Sequence, residues 1–275
     1  MKFFRNILII ILIIFTNYSI FAETNVNHPA LFNDGEYLIY KEYANRELFR
    51  EWRIVFFNEP ESNGIIQYLD YLRVKEPITF PDFYTNYESK ADISYNSLGL
   101  IHMIDNWYPE ALKLKKSGNV YLKIDLNQDQ SRAFYVKHHW NGRIADIAQN
   151  SLKIPKPKPV WNRITIMYSG PRVMDMGQPC EFYLIEPDLF WEPILCRTKV
   201  IGKEEIITPA GRFKTMKIGA EILEPWIAAI VLKPFTGGIC LWYEDSPERR
   251  VVRINYNQDN YIELFRISNW FSASE

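Results

Sequence analysis

Glu205 to Ile218 reads EIITPAGRFKTMKI. Glu205, Ile206 and Ile207 lead in, Thr208-Pro209-Ala210-Gly211 makes a corner, and Phe213 to Ile218 leads out. Pro209 presets the φ that the second residue of a turn requires. Gly211 supplies the positive φ needed where a bulged hairpin ends. Thr208 is placed to hydrogen-bond the backbone of its own loop. The corner has no base next to Thr208 that would make it a nucleophile. It predicts a strand, a tight turn and a second strand, and so a β fold rather than a site.

The same style extends outward in both directions. Gly35 to Tyr43, Phe49 to Phe57 and Ile65 to Val74 alternate aromatic or β-branched residues with polar ones, the period-two pattern of half-buried strands. Asp92 to Ile104 predicts a further strand broken at Asn96-Ser97 and Gly99, followed by Val120 to Asp125 and Arg132 to His139. Trp140-Asn141-Gly142-Arg143 reads as a hairpin turn, and Ile144 to Asn150 suits one helical turn. Ile154 to Pro159, IPKPKP, is an extended connector. Beyond it, strands are expected at Asn162 to Tyr168, Cys180 to Glu186, Leu195 to Ile207 with a bulge or turn at Gly202, Phe213 to Glu221, Gly238 to Tyr243, Val251 to Tyr256 and Tyr261 to Ile267. Short strands at regular spacing imply an all-β fold: a curved antiparallel sheet forming an open barrel or a sandwich, with short helices or loops covering one end. Residues 23–275 then make one β-rich domain, or two β halves joined near 154–159.

The N-terminus is of another kind. Lys2 and Arg5 precede an unbroken apolar run, Ile7 to Phe15, and a mixed stretch ending at Ala22. This is the layout of a secretory signal peptide cleaved after Ala22, with an uncleaved anchor as the alternative. The run is shorter than the ~20 apolar residues of a spanning helix. Export to the periplasm or outer cell envelope is the expectation.

Among 275 residues, 47% are hydrophobic and 15% aromatic, enough for a sizeable core. Loss of Lys2 and Arg5 takes the net charge from −1 to −3, which argues against nucleic acid as a partner. Cys180, Cys196 and Cys240 are odd in number. Cys180 and Cys196, on successive strands, are the easiest to pair, and unpaired core thiols are the other reading. No Cys-x-x-Cys occurs, and His28, His102, His138 and His139 lie far from the cysteines in sequence, so neither a metal site nor a cofactor is expected. Gly-x-Ser-x-Gly, His-Glu-x-x-His and phosphate-loop motifs are absent from the sequence. His138 and His139 would face opposite sides of a strand and could not chelate together. Asp70, Asp92, Asp105 and Asp125 are the carboxylates that a fold could bring together. Catalysis is the least favoured class.

The corner also carries a resemblance. TPAG followed by RFKTMKI (Thr208 to Ile218), then LWYEDSPERRVVRI with Trp242, Asp245 and Arg249 to Ile254, and an early FNDGEYLIY from Phe32 to Tyr40, resemble the bacterial family called domain of unknown function 3108. The likeness rests on short motifs, and Pro77 to Pro159 matches only in β character. It implies an exported β-rich protein and assigns no chemistry. Such a curved open sheet is also similar to that of periplasmic lipoprotein carriers, a likeness of fold alone.

Two loops are richer in large apolar residues than surface loops usually are. One holds Leu189, Phe190 and Trp191, the other Trp226, Ile227 and Ile230 between Pro225 and Pro234. They predict contact with a lipid or other apolar ligand at the mouth of the sheet, or with an envelope protein or a membrane surface. The alternative is an envelope-assembly or structural protein with a filled core, whose edge strands add to another chain. A filled interior favours this alternative, and an empty apolar interior favours a carrier.

Overall fold

Alternation of apolar and polar side chains makes this chain almost entirely strand. The computed structural model describes residues 34–59, 63–73, 86–108, 120–127, 129–140, 145–155, 158–174, 176–185, 192–224, 240–256 and 258–272. The strands before the connector are β1 (Glu36–Ala44), β2 (Glu47–Glu59), β3 (Gly64–Arg73), β4 (Asn86–Ser94), β5 (Gly99–Tyr108), β6 (Val120–Leu126), β7 (Arg132–Trp140) and β8 (Ala145–Lys153). After it come β9 (Val160–Trp161), two short helices α1 (Arg163–Tyr168) and α2 (Gly170–Val173), then β10 (Glu181–Leu184), β11 (Ile194–Thr208), β12 (Gly211–Glu224), β13 (Cys240–Glu244), β14 (Val251–Asn255) and β15 (Tyr261–Asn269). A 3-10 turn, Trp270–Ser272, follows β15.

These strands form one fifteen-stranded sheet in the order β8-β7-β6-β5-β4-β3-β2-β1-β15-β14-β13-β12-β11-β10-β9. The first and last described strands meet at the centre, where β1 pairs with both β2 and β15. Every ladder is antiparallel except the two-residue β9–β10 pair. The sheet is not closed into a barrel, because among the described residues no ladder joins β9 back to the other edge. It does curl: a Cβ placed on Gly99, at the start of β5, would lie 2.7 Å from the Val160 carbonyl oxygen and 2.9 Å from the Val160 nitrogen. Lys158, just before β9, and Arg197 on β11 grip Glu181 on β10 at 2.6 and 2.5 Å, tying this end of the sheet together.

One face of the sheet carries the core. Leu38 and Tyr40, Ile54 and Phe56, Ile65 and Leu69, Ala91 and Ile93, Leu100 and Met103, Ile124, Ala133 and Leu152 are all buried on it. Register keeps this set on one side, for example Leu38 opposite Ile54, Ile65 opposite Ile93, and Met103 opposite Ile124. The α1–α2 segment lies on the same face. Ile164, Tyr168, Val173, Met174 and Met176 belong to the same core cluster. The Tyr168 ring centroid is 5.1 Å from that of Tyr40, and Ser169 Oγ donates to Gln67 Oε1 at 2.6 Å.

Three local expectations are corrected. Residues expected as a strand from Asn162 to Tyr168 are the N-cap and body of α1. The β-branched run suggests a strand, but Asn162 Oδ1 accepts from the Ile164 N–H at 2.9 Å and Thr165 Oγ1 accepts from the Asn162 N–H at 3.2 Å, a reciprocal cap that starts a helix. The helical turn expected within Ile144 to Asn150 is instead β8, which pairs with β7 from Ala145 to Lys153 without a bulge. One turn is a weak helix by itself, and a nine-residue ladder outweighs it. The single broken strand over Asp92 to Ile104 is two strands, β4 and β5, turning at residues 95–98. Of the bulge or turn expected at Gly202, the structure shows the bulge, as a register shift between Val200 and Gly202. The N-terminal segment, with its expected cleavage after Ala22, and the Asn141-Gly142 turn lie outside the described residues.

Two outcomes test this architecture. Gly99→Ala should lose about 1–3 kcal/mol in urea denaturation, because its methyl meets backbone atoms that cannot swing aside; an unchanged midpoint would mean that β9 does not approach β5. Hydrogen bonds from Lys158 and Arg197 hold Glu181 below the usual glutamate range, with burial opposing them. Its stabilisation is therefore complete above the ordinary glutamate pKa and is lost as pH falls through the depressed folded value. Across that acid window the Tm of Glu181→Gln should fall less steeply than that of the wild type. Parallel curves would show that the carboxylate contributes nothing.

Candidate functional site

The stretches singled out in sequence converge on one buried group of charges. Glu36 begins β1, and its side chain is 3% exposed. Arg172, on α2, is 1% exposed and places Nη2 2.6 Å from Glu36 Oε2. Arg250 places Nε 2.5 Å from Glu36 Oε1 and Nη1 3.1 Å from Glu244 Oε2. The backbone closes the same turn, with Glu244 N–H donating to the Arg250 carbonyl at 2.9 Å. Two cations thus meet two carboxylates, and the Arg172 guanidinium carbon also stands 4.4 Å from the Phe56 ring centroid. Arg249 Nη1 donates to the Pro171 and Met174 carbonyls at 3.5 and 3.4 Å, so the neighbouring arginine holds the end of α2.

Burial raises Glu244 above the usual carboxylate range against the pull of Arg250. The Arg250 guanidinium is pushed up by Glu36 although burial acts the other way. Burial raises the Tyr40 phenol, which donates to the Val251 carbonyl at 3.0 Å. The arrangement acts as a clasp that fixes α1–α2 to β1 and to the turn between β13 and β14.

The TPAG hairpin reaches the same turn. Its two-residue loop closes with Thr208 opposite Gly211, Gly211 has φ 143°, and Thr208 Oγ1 accepts from the Ala210 N–H at 3.2 Å. Asp245 N–H donates to the Lys214 carbonyl at 2.9 Å, and Lys203 Nζ lies 2.6 Å from Asp245 Oδ2. On the opposite face from the core, Trp242 Nε1 donates to Glu204 Oε1 at 2.6 Å beneath Lys217, whose Nζ is 4.6 Å from the indole centroid.

Of the four aspartates, the fold brings Asp92 and Asp125 to either side of His102, which is opposite both in register. Asp125 bonds His102 Nδ1 and Lys123 Nζ, the latter at 2.9 Å. Burial raises its carboxyl, but these two partners prevail and hold it below the usual range. The side chains of Asp70, Asp105, His138 and His139 lie outside those described, as do Leu189, Phe190, Trp191, Trp226, Ile227 and Ile230. Among the described residues, no cluster of three His, Cys, Asp or Glu is placed to hold a metal. All three cysteines are free thiols. Cys180 Sγ sits 3.1 Å from Thr198 Oγ1, and burial pushes Cys196 up to about 12. Arg172 carries no motif and was missed in sequence; its signal is visible only once its burial is known, since a buried guanidinium requires carboxylate partners.

No family model matches the chain, and no curated protein does. Among solved structures, it is similar to a beta-barrel-like protein of domain of unknown function DUF1849 from Brucella abortus, at 8% identity and TM-score 0.50, over 85% of this chain and 97% of that one. It also matches a protein from Bacteroides fragilis described as exported, with a YmcC-like fold (12% identity, TM-score 0.30, 86% and 97% covered), and one from Parabacteroides distasonis described as a lipoprotein (13%, 0.30, 86% and 96%). The first likeness is one of fold: a bacterial β-barrel-like protein without assigned function.

The clasp predicts a coupled pair. Arg172→Met should cost about 3–5 kcal/mol in urea denaturation, because it removes one of the two cations on a buried carboxylate. Glu36→Leu/Arg172→Met should cost less than the sum of its single changes, because the second change removes the charge that the first exposes. Additive losses would show that the two residues do not act together.

Proposed function

We propose that this chain is a non-catalytic exported protein of the bacterial cell envelope, of the kind gathered in the family called domain of unknown function 3108, and that it works through its surface rather than through an enclosed ligand. The observation that carries this reading is the occupied inner face: Tyr168, Val173, Met174 and Met176 are each no more than 2% exposed against the core strands. A ligand in that place would have to displace a segment held by the Glu36–Arg172 pair. Export is supported by the basic start, the apolar run and the mixed stretch ending at Ala22 in the first 22 residues. A non-catalytic role is supported by the interior groups, since Glu36 and Glu244 are held by arginines and burial takes Tyr40 and Cys196 up, away from the range useful to a general base near neutral pH. An apolar ligand bound by Leu189, Phe190, Trp191, Trp226, Ile227 and Ile230 is the competing reading.

Native mass spectrometry of the protein purified from its own envelope, followed by organic extraction, separates the two. The expected result is the mass of the polypeptide alone and no released lipid. A stoichiometric lipid, lost when Trp226 and Ile230 are changed to Asp in a still-folded variant, would overturn the proposal in favour of a carrier.

A further inference from the structure

Outside the core, large apolar side chains are exposed at six described positions, and three of them lie together: Tyr68 at 41%, Trp270 at 46% and Phe271 at 58%. Tyr37 and Phe57 join them into a platform of five rings on the side of β1–β3 opposite the core. Trp270 meets Tyr37 at 5.6 Å, Phe57 meets Phe271 at 6.1 Å, and Phe57 meets Tyr68 at 5.8 Å. The platform is built, not frayed. Trp270 N–H donates to the Gly35 carbonyl at 2.7 Å, Asn269 Nδ2 donates to the Asp34 carbonyl at 3.1 Å, and Asn269 Oδ1 accepts from the Phe271 N–H at 2.9 Å. Lys90 Nζ stands 5.8 Å from the Tyr68 centroid, a cation at the rim.

We propose that this platform is a membrane-contact patch whose occupant is a lipid bilayer interface. This rests on the reading that the chain works through its surface. Two observations select lipid over a folded partner. Trp, Tyr and Phe beside a lysine are the side chains that lie at a headgroup boundary, with the rings in and the amine in water. The rings meet at 82°, 81° and 64°, which leaves a studded surface; a fluid interface accepts this shape, whereas a bound peptide needs a groove.

The test uses the chain from Glu23 onward, since residues 31–275 form one compact unit by themselves. It is sedimented with vesicles of phosphatidylethanolamine and phosphatidylglycerol. Wild type should sediment with the vesicles. Trp270→Ser/Phe271→Ser should lower the partition coefficient by about tenfold or more, from the apolar area the two rings have left to bury. Tyr68→Ser, on a strand and independent of the C-terminal turn, should lower it by roughly threefold. Ile207→Ser, an exposed apolar residue of the TPAG hairpin, should leave it unchanged. Failure of the wild type to sediment, or a partition that the ring variants leave unaltered, overturns the patch. An apo mass from the envelope-purified protein alongside that failure would leave the surface reading standing, so the two are separable.

Discussion

Glu36 is ion-paired with two arginines from distant parts of the chain, one on α2 and one just before β14. The inner face depends on this contact. A carboxylate and a guanidinium almost wholly out of water have each lost several kcal/mol of hydration, and their mutual attraction offsets that loss only when the geometry is tight. Such a pair adds little net stability, yet it strongly opposes any arrangement that separates its members. The consequence is orientation: the four-residue helix α2, too short to hold its place by propensity, is locked against β1 and β2.

From that lock follows the character of the interior. A sheet that curls without closing would leave its concave side open, and the segment between β9 and β10 occupies it. The Tyr168 ring lies tilted at 55° to that of Tyr40, Ser169 bonds Gln67, and the methionines after α2 adapt to the space that remains. Among the polar groups carried inside, Glu36 is paired with Arg172 and Arg250, and Ser169 donates to Gln67. On the outer side, aromatic rings and cations alternate across strands: Lys41 over Phe265, Lys217 over Trp242 and Arg253 over Tyr261. The Trp270–Phe271 platform differs from these pairs in being open to solvent.

Most of the strands were legible because period two is a local signal, carried by each segment without help from its neighbours. The TPAG hairpin was read residue by residue, down to the positive φ of Gly211 and the Thr208 bond. The errors fell where two local signals compete. In Asn162 to Tyr168 the β-branched run masked a cap, and over Ile144 to Asn150 a long ladder on β7 overrides the helical turn that the segment suits. Gly99 is a third kind of case: nothing near it in sequence announces that β9 will press on its backbone.

The sequence by itself therefore determined the class of fold, the corner at Thr208 to Gly211, and the residue types able to form an apolar face, because these depend on side-chain period and turn chemistry within a few residues. Tertiary structure alone decided that Glu36, Arg172, Glu244 and Arg250 share one buried site, that the sheet stays open, and that the C-terminal aromatics settle on β1 and β2. Those outcomes join positions up to 235 residues apart. The reason is burial: a charge in the sequence is only a solvated side chain until the fold removes its water, and only then does it require the partner that defines the site.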